Sequence, residues 1–150
     1  MRFRFIWIGK TRDRNYRALQ EEYLRRLSYF AKCEIVEIKN SAAGESKEVE
    51  GKRILEKLNQ SSVACLLDVA GRGLSSPEFA KEIEKWQNAG IKDVAFIIGG
   101  AYGVSSEVAT RVNDRLSLSF LTFTHEMSRV VLLEQLYRAY TIQKGFPYQK

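Results

Sequence analysis

Apolar residues recur along this chain in two alternating patterns: short dense clusters, and longer stretches in which they are spaced by three and four. The clusters predict strands at 3–8, 34–38, 63–67, 94–98 and 116–118. The longer stretches predict helices between them. Over 15–31, Tyr16, Leu19, Tyr23, Leu27 and Phe30 fall on one helix face, and a similar pattern covers 49–58. The next helix is announced by Ser75-Ser76-Pro77-Glu78, which offers a cap, an early proline and a reaching glutamate, and Asn88-Ala89-Gly90 ends it. Ser105 or Ser106 caps a short helix. The longest runs over 125–144, with Met127, Val130, Val131, Leu133, Tyr137 and Tyr140 among its apolar positions. Gly145 fits the left-handed position past its end, and Pro147 prevents continuation. The stretch 40–46, with Ala42-Ala43-Gly44, reads as a loop and not as a domain linker. Strands separated by helices predict an α/β fold, a mostly parallel sheet covered by helices on both faces. With no internal repeat, low-complexity segment or charge block, 1–150 is expected to form a single domain.

Ligands of such sheets bind beyond the carboxyl ends of the strands. That rule selects three loops: Val69-Ala70-Gly71-Arg72-Gly73 after Leu67-Asp68, Gly99-Gly100-Ala101-Tyr102-Gly103 after Ile98, and Ser119-Phe120-Leu121-Thr122-Phe123-Thr124 after Leu118. The GGxxG has two readings, a tight strand-to-helix turn that needs positive φ or a place where backbone approaches a ligand. It lacks the GxGxxG spacing of a dinucleotide site, no Walker-type GxxxxGK[ST] occurs, and no serine sits in a GxSxG elbow. One histidine and two separated cysteines do not make a usual zinc site, so no metal is expected.

Composition adds limits. The chain is 45% hydrophobic and 28% charged, as in soluble globular proteins. No apolar run approaches the roughly 20 residues of a membrane helix. The start, MRFRFIWIGK, has too short an apolar core and no small-residue cleavage site for a signal peptide. Cys33 and Cys65 lie in apolar strand-like runs and read as buried thiols in a reducing compartment, which points to the cytoplasm. The net charge of +6 suits polyanionic partners such as nucleic acid, or serves solubility alone.

Four segments carry more than their parts. LLDVAGRGLSSPEFA, FIIGGAYGVSSEV, LSLSFLTFTHEMSRVVLLEQLYRAYTI and GFPY, in that order and covering essentially the whole chain, resemble the RlmH family. These are small SPOUT-class methyltransferases that modify N3 of a pseudouridine in large-subunit ribosomal RNA. The resemblance implies a C-terminal trefoil knot whose loops hold S-adenosyl-L-methionine in a bent shape. Carried over by position, Leu67, Gly99, Gly100, Gly103, Leu118, Ser119, Phe120, Leu121, Thr122 and Phe123 would form that cofactor site. It also implies a homodimer in which the partner's tail completes each active site, and the assembled ribosome as substrate. The broad apolarity of the last helix suits a dimer element and suits an internal helix equally. Arg2, Arg4, Arg25, Arg26, Arg72 and Lys150 are possible RNA contacts.

His125, Arg129, Tyr148 and Gln149 are the candidate catalytic residues. His125 reads as a base, or as a capping or core histidine. Arg129, four residues on and so on the same helix face, reads as an anion holder or as the partner of Glu126 or Glu134. Tyr148 reads as a stacking group for the target base or as a packing anchor at a dimer seam. Here the chain departs from its family, whose ending resembles Pro-Tyr-His followed by a basic residue; this one is Pro147-Tyr148-Gln149-Lys150. Glutamine donates and accepts hydrogen bonds but takes up no proton near neutral pH. Either activity persists, or the chain is a catalytically impaired ribosome-binding homologue.

Overall fold

A computed structural model describes residues 1–40, 46–58 and 63–148, so most of the loop predicted at 40–46, as well as Gln149 and Lys150, lies outside the described residues. Strands β1 (Arg2–Ile8), β2 (Lys32–Ile38), β3 (Val63–Gly73), β4 (Asp93–Ile98) and β5 (Asp114–Ser117) form one sheet in the order β2-β1-β4-β3-β5. Every pairing is parallel. Helices α1 (Arg14–Leu27), α3 (Ser76–Asn88) and α5 (His125–Lys144) cover one face; α2 (Lys47–Lys57) and α4 (Ser106–Arg111) cover the other. The interior strand β1, flanked by β2 and β4, shows why both faces close. Phe3, Phe5 and Trp7 point to the three-helix side, where they meet Leu27, Ile83 and Leu132, while Ile6 and Ile8 join Ile54 and Val108 on the other. Arg4 is the polar exception on that second face. Its Nη1 donates to the carbonyl of Lys57 at 2.5 Å, placing a cation at the negative end of α2.

Helix ends follow the local signals. Ser75 and Glu78 form the reciprocal capping box of α3, with Pro77 in its first turn. Thr124 caps α5, and Gly145 ends it at φ 67°. The short α4 takes Ser105, not Ser106, as its cap. Helix α1 stops at Leu27 instead of 31, because the amides of Phe30 and Ala31 both fold onto the Leu27 carbonyl in the turn that sets Lys32 opposite Arg2. The broad apolarity of α5 is accounted for within one chain: Leu132, Leu133, Leu136, Ala139 and Tyr140 are buried against the sheet, α1 and α3.

Two strands differ from expectation. β3 continues through Gly73, although 69–73 read as a loop. Leu67 and Arg72 both stand opposite Leu116, so 68–71 bulge out of the ladder before pairing resumes. A side chain at Gly71 would lie 2.8 Å from the backbone of Arg115 and Leu116. β5 covers Asp114–Ser117, which leaves Leu118 to the loop that follows. Cys65 is buried but Cys33, on the edge strand, is only half-buried; burial raises the two thiols to about 12 and about 11.

Arg129 lies at the junction of β1 and α5 and is only 2% exposed. Its guanidinium donates to the Ile8 carbonyl at 2.6 Å and to Thr11 Oγ1 at 2.9 Å, and stacks 4.8 Å from the centre of the Trp7 ring. Thr11 Oγ1 in turn donates to Gln20 on α1. The carboxylates expected as partners are engaged elsewhere: Glu126 accepts the amides of Arg12 and Asp13, and Glu134 accepts from Arg138. Arg129 therefore fastens the β1–α1 loop to the first turns of α5. Burial lowers its pKa from the usual arginine value, opposed by the charges of Glu126 and Glu37. Arg129→Met is expected to leave Ile8 and Thr11 without their donor and to lower stability by about 2–3 kcal/mol in urea denaturation. An unchanged midpoint would show that this junction does not depend on the guanidinium.

Candidate functional site

The carboxyl ends of β3 and β4, the loop after β5 and the first turn of α5 enclose a cavity of about 240 Å³. Its walls are Leu66 to Val69 from β3, Ile98, Gly99, Gly100, Gly103 and Val104 from β4 and its turn, Leu118, Ser119, Leu121, Thr122 and Phe123 from the third loop, and His125 and Ser128 from α5. All the residues expected to hold a cofactor line it except Phe120, which points outward and is 86% exposed. Leu66, Ile98, Val104 and Ser128 join the wall without having been candidates in the sequence, while Asp68 and Val69 come from the first of the three loops selected at strand ends. Asp68 and Val69 belong to the bulge of β3, so the irregular pairing that obscured the end of that strand also turns them toward the site.

Each wall has a local cause. At the β4 turn the Gly103 amide donates to the Gly100 carbonyl at 3.0 Å, with Gly103 at φ 79°. A Cβ on Gly99 would sit 2.8 Å from Val104 Cγ1, and one on Gly100 would sit 2.9 Å from Glu50 Oε1. The tight-turn reading of GGxxG thus holds. It also leaves main-chain atoms bare along one side of the cavity, where a ligand can approach them. The third loop is shaped by its hydroxyls. Ser117 Oγ donates to the Ser119 carbonyl at 3.0 Å, Ser119 Oγ accepts the Leu121 amide at 2.9 Å, and Thr124 Oγ1 accepts the Met127 amide at 3.3 Å. These bonds bend the chain around the cavity and deliver His125 to its edge, half-buried, as the first residue of α5. The lining is mostly apolar, and Asp68 is its one carboxylate. Asp68 Oδ1 accepts the Ala70 amide at 3.0 Å and Oδ2 lies 3.5 Å from Arg115 Nη1.

The other candidate catalytic groups are elsewhere. Arg129, expected to share a face with His125, is turned under the cavity into the Trp7–Ile8 junction and does not line it. Tyr148 packs on the middle of α5, its hydroxyl 3.0 Å from Glu134 Oε1. Glu134 is nine residues beyond His125, on the order of 13 Å along the helix axis. Gln149 lies outside the described residues. The arginines suggested for RNA contact are all engaged: Arg2 with Asp93, Arg4 with the end of α2, Arg25 and Arg26 with Glu22, and Arg72 with Asp114 and Glu82. Among the described residues no cluster of three His, Cys, Asp or Glu side chains is placed to hold a metal, and no helix is long and apolar enough to cross a membrane.

This arrangement has known counterparts. The family model described as "Predicted SPOUT methyltransferase" matches residues 1–149. Proteins named "Ribosomal RNA large subunit methyltransferase H" are similar over the full chain: that of Enterococcus faecalis is 39% identical, covering all of both chains, and that of Latilactobacillus sakei 41%, again covering all of both. The one from Flavobacterium psychrophilum is 40% identical over 99% of this chain and 98% of its own. A solved structure of a probable methylase family protein from Haemophilus influenzae shares the fold, with a TM-score of 0.58 at 12% identity over 99% of this chain and 70% of that one. The chain belongs to the SPOUT methyltransferase family, in the group of the large-subunit ribosomal RNA methyltransferases H.

Proposed function

We propose that this protein transfers the methyl group of S-adenosyl-L-methionine to N3 of a pseudouridine in large-subunit ribosomal RNA, acting in the cytoplasm on the assembled ribosome as a homodimer of single-domain, knotted subunits. The observation that carries this reading is the cavity itself. Nine of the ten residues implied for the cofactor converge on it from β3, the turn after β4 and the loop after β5. The bare backbone at Gly99 and Gly100 suits the hydrogen-bonding edge of an adenine, and Leu67, Leu118 and Phe123 supply apolar walls.

When bound, the cofactor supplies an electrophilic sulfonium methyl: N3 bonds to the methyl carbon as the carbon–sulfur bond breaks, leaving a neutral thioether. The chain has to orient N3 in line with that methyl and remove the imino proton. Orientation alone can supply much of the rate, and a base a further ~10²–10⁴-fold. His125 and Asp68 are the lining side chains that can accept a proton, and we assign the role to His125, because Asp68 already accepts the Ala70 amide and faces Arg115. Arg129 acts as scaffold beneath it. Tyr148 does not reach its own chain's cavity, which supports a site completed by the tail of a second copy, with Tyr148 and Gln149 steadying the target base. Because Gln149 binds without transferring a proton, we expect activity to persist.

Gly99→Val forces a side chain into Val104 and the cavity wall, and should weaken S-adenosyl-L-methionine binding at least about tenfold in calorimetry. Unchanged affinity would place the cofactor elsewhere. Radiolabel transfer to ribosomes, with mapping of the modified nucleotide, is expected to show one labelled pseudouridine for the wild type. Transfer that is undetectable until Gln149→His restores it would instead identify the catalytically impaired homologue.

A further inference from the structure

We infer that Glu134 and Arg138 form a clasp that sets the direction in which the C-terminal tail leaves the subunit, which makes them positioning residues for Tyr148 and for Gln149 after it. The inference rests on the reading that this tail serves a second copy's cavity. Beyond α5 the chain reverses: Gly145 adopts φ 67°, and the Phe146 amide donates back to the Thr141 carbonyl at 2.9 Å. Phe146 then rests on Phe30, ring centres 6.2 Å apart. Tyr148 is held on three sides. Its ring stands edge-on to Tyr137 at 4.9 Å, the Arg138 guanidinium lies 4.7 Å over the ring, and its hydroxyl donates to Glu134 Oε1 at 3.0 Å. The same carboxylate oxygen accepts Arg138 Nε at 3.0 Å and Nη2 at 2.5 Å. One carboxylate thus fixes both the cation above the ring and the hydroxyl at its edge. Burial first, then the Tyr23 hydroxyl and Glu134, raise the Tyr148 phenol above the usual tyrosine value.

The clasp matters because of reach. Gln149 is the next residue in the sequence, so whatever holds Tyr148 sets the point from which the chain continues toward it. A tail without these contacts would have to be ordered afresh at each encounter with RNA, a cost that preorganisation removes.

The test uses full-length Glu134→Ala, Glu134→Gln, Tyr148→Phe and the Glu134→Ala/Tyr148→Phe double variant. Steady-state methyl transfer to ribosomes is measured beside calorimetry with S-adenosyl-L-methionine. Glu134→Ala should lower kcat/KM about tenfold while cofactor affinity stays within about twofold, Glu134→Gln should recover most of the loss, and the double variant should lose no more than the worse single one. A second readout needs no activity: carboxypeptidase should remove the tail of Glu134→Ala several-fold faster than that of the wild type. Equal digestion, unchanged turnover in Glu134→Ala, or losses that add in the double variant would overturn the clasp. Wild-type protein that transfers no methyl group while the digestion difference stands would count against the proposed function and leave the clasp intact.

Discussion

A guanidinium buried without a carboxylate partner links the end of β1 and the loop after it to the first turns of α5. Burying such a cation carries a desolvation cost, seen in its lowered pKa, and here that cost is offset by two hydrogen bonds and the face of an indole. Arg129 grips the last residue of β1 and the loop after it, while Glu126, three residues earlier, holds the next two amides of that loop. The first turn of α5 is thereby fixed relative to β1 and, through the sheet, relative to the ends of β3 and β4. His125 and Ser128 stand on that turn, so the cavity's fourth wall takes its position from an interaction that never touches a ligand.

The same helix organises both ends of the proposed chemistry. Its N-terminal turn closes the cavity, its buried face is filled by Leu132, Leu133 and Leu136, and its outer middle carries Glu134, Tyr137 and Arg138 against the returning tail. A single rigid element therefore sets the spacing between the cavity a subunit keeps and the tail it presents. The loops around the cavity divide the remaining work. Glycines at the β4 turn expose backbone, and hydroxyls in the third loop fold the chain without bulk.

What could be read from the sequence was whatever is decided locally. The caps of α3 and α4, the left-handed Gly145 and the alternation of strand and helix depend on residues a few positions apart, and the structure places them as expected. The residues around the cavity were legible through resemblance, and they meet because three strand ends meet. Phe120 did not follow, since the hydroxyl-bonded loop turns it outward. Long-range pairings could not be read. Nothing in 68–73 signals that β3 resumes beside β5, because the bulge breaks the apolar alternation. Nothing adjacent to Arg129 indicates Ile8 and Thr11 as its partners across more than a hundred residues. Of the arginines that suggested an RNA surface, Arg2 and Arg72 meet acids distant in sequence, Asp93 for the one and Asp114 and Glu82 for the other, which no local pattern announces.

Subunit mixing tests the composite site most directly. Gly99→Val impairs the cavity and Tyr148→Ala disarms the tail, so each variant alone should transfer little methyl at cofactor concentrations well below the variant's weakened affinity. Co-expressed in equal amounts, the two chains should form mixed dimers that carry one intact cavity served by one intact tail, and methyl transfer should return to about a quarter of the wild-type level. Mixed dimers that form but regain no activity would contradict a site built from the cavity of one subunit and the clasped tail of the other.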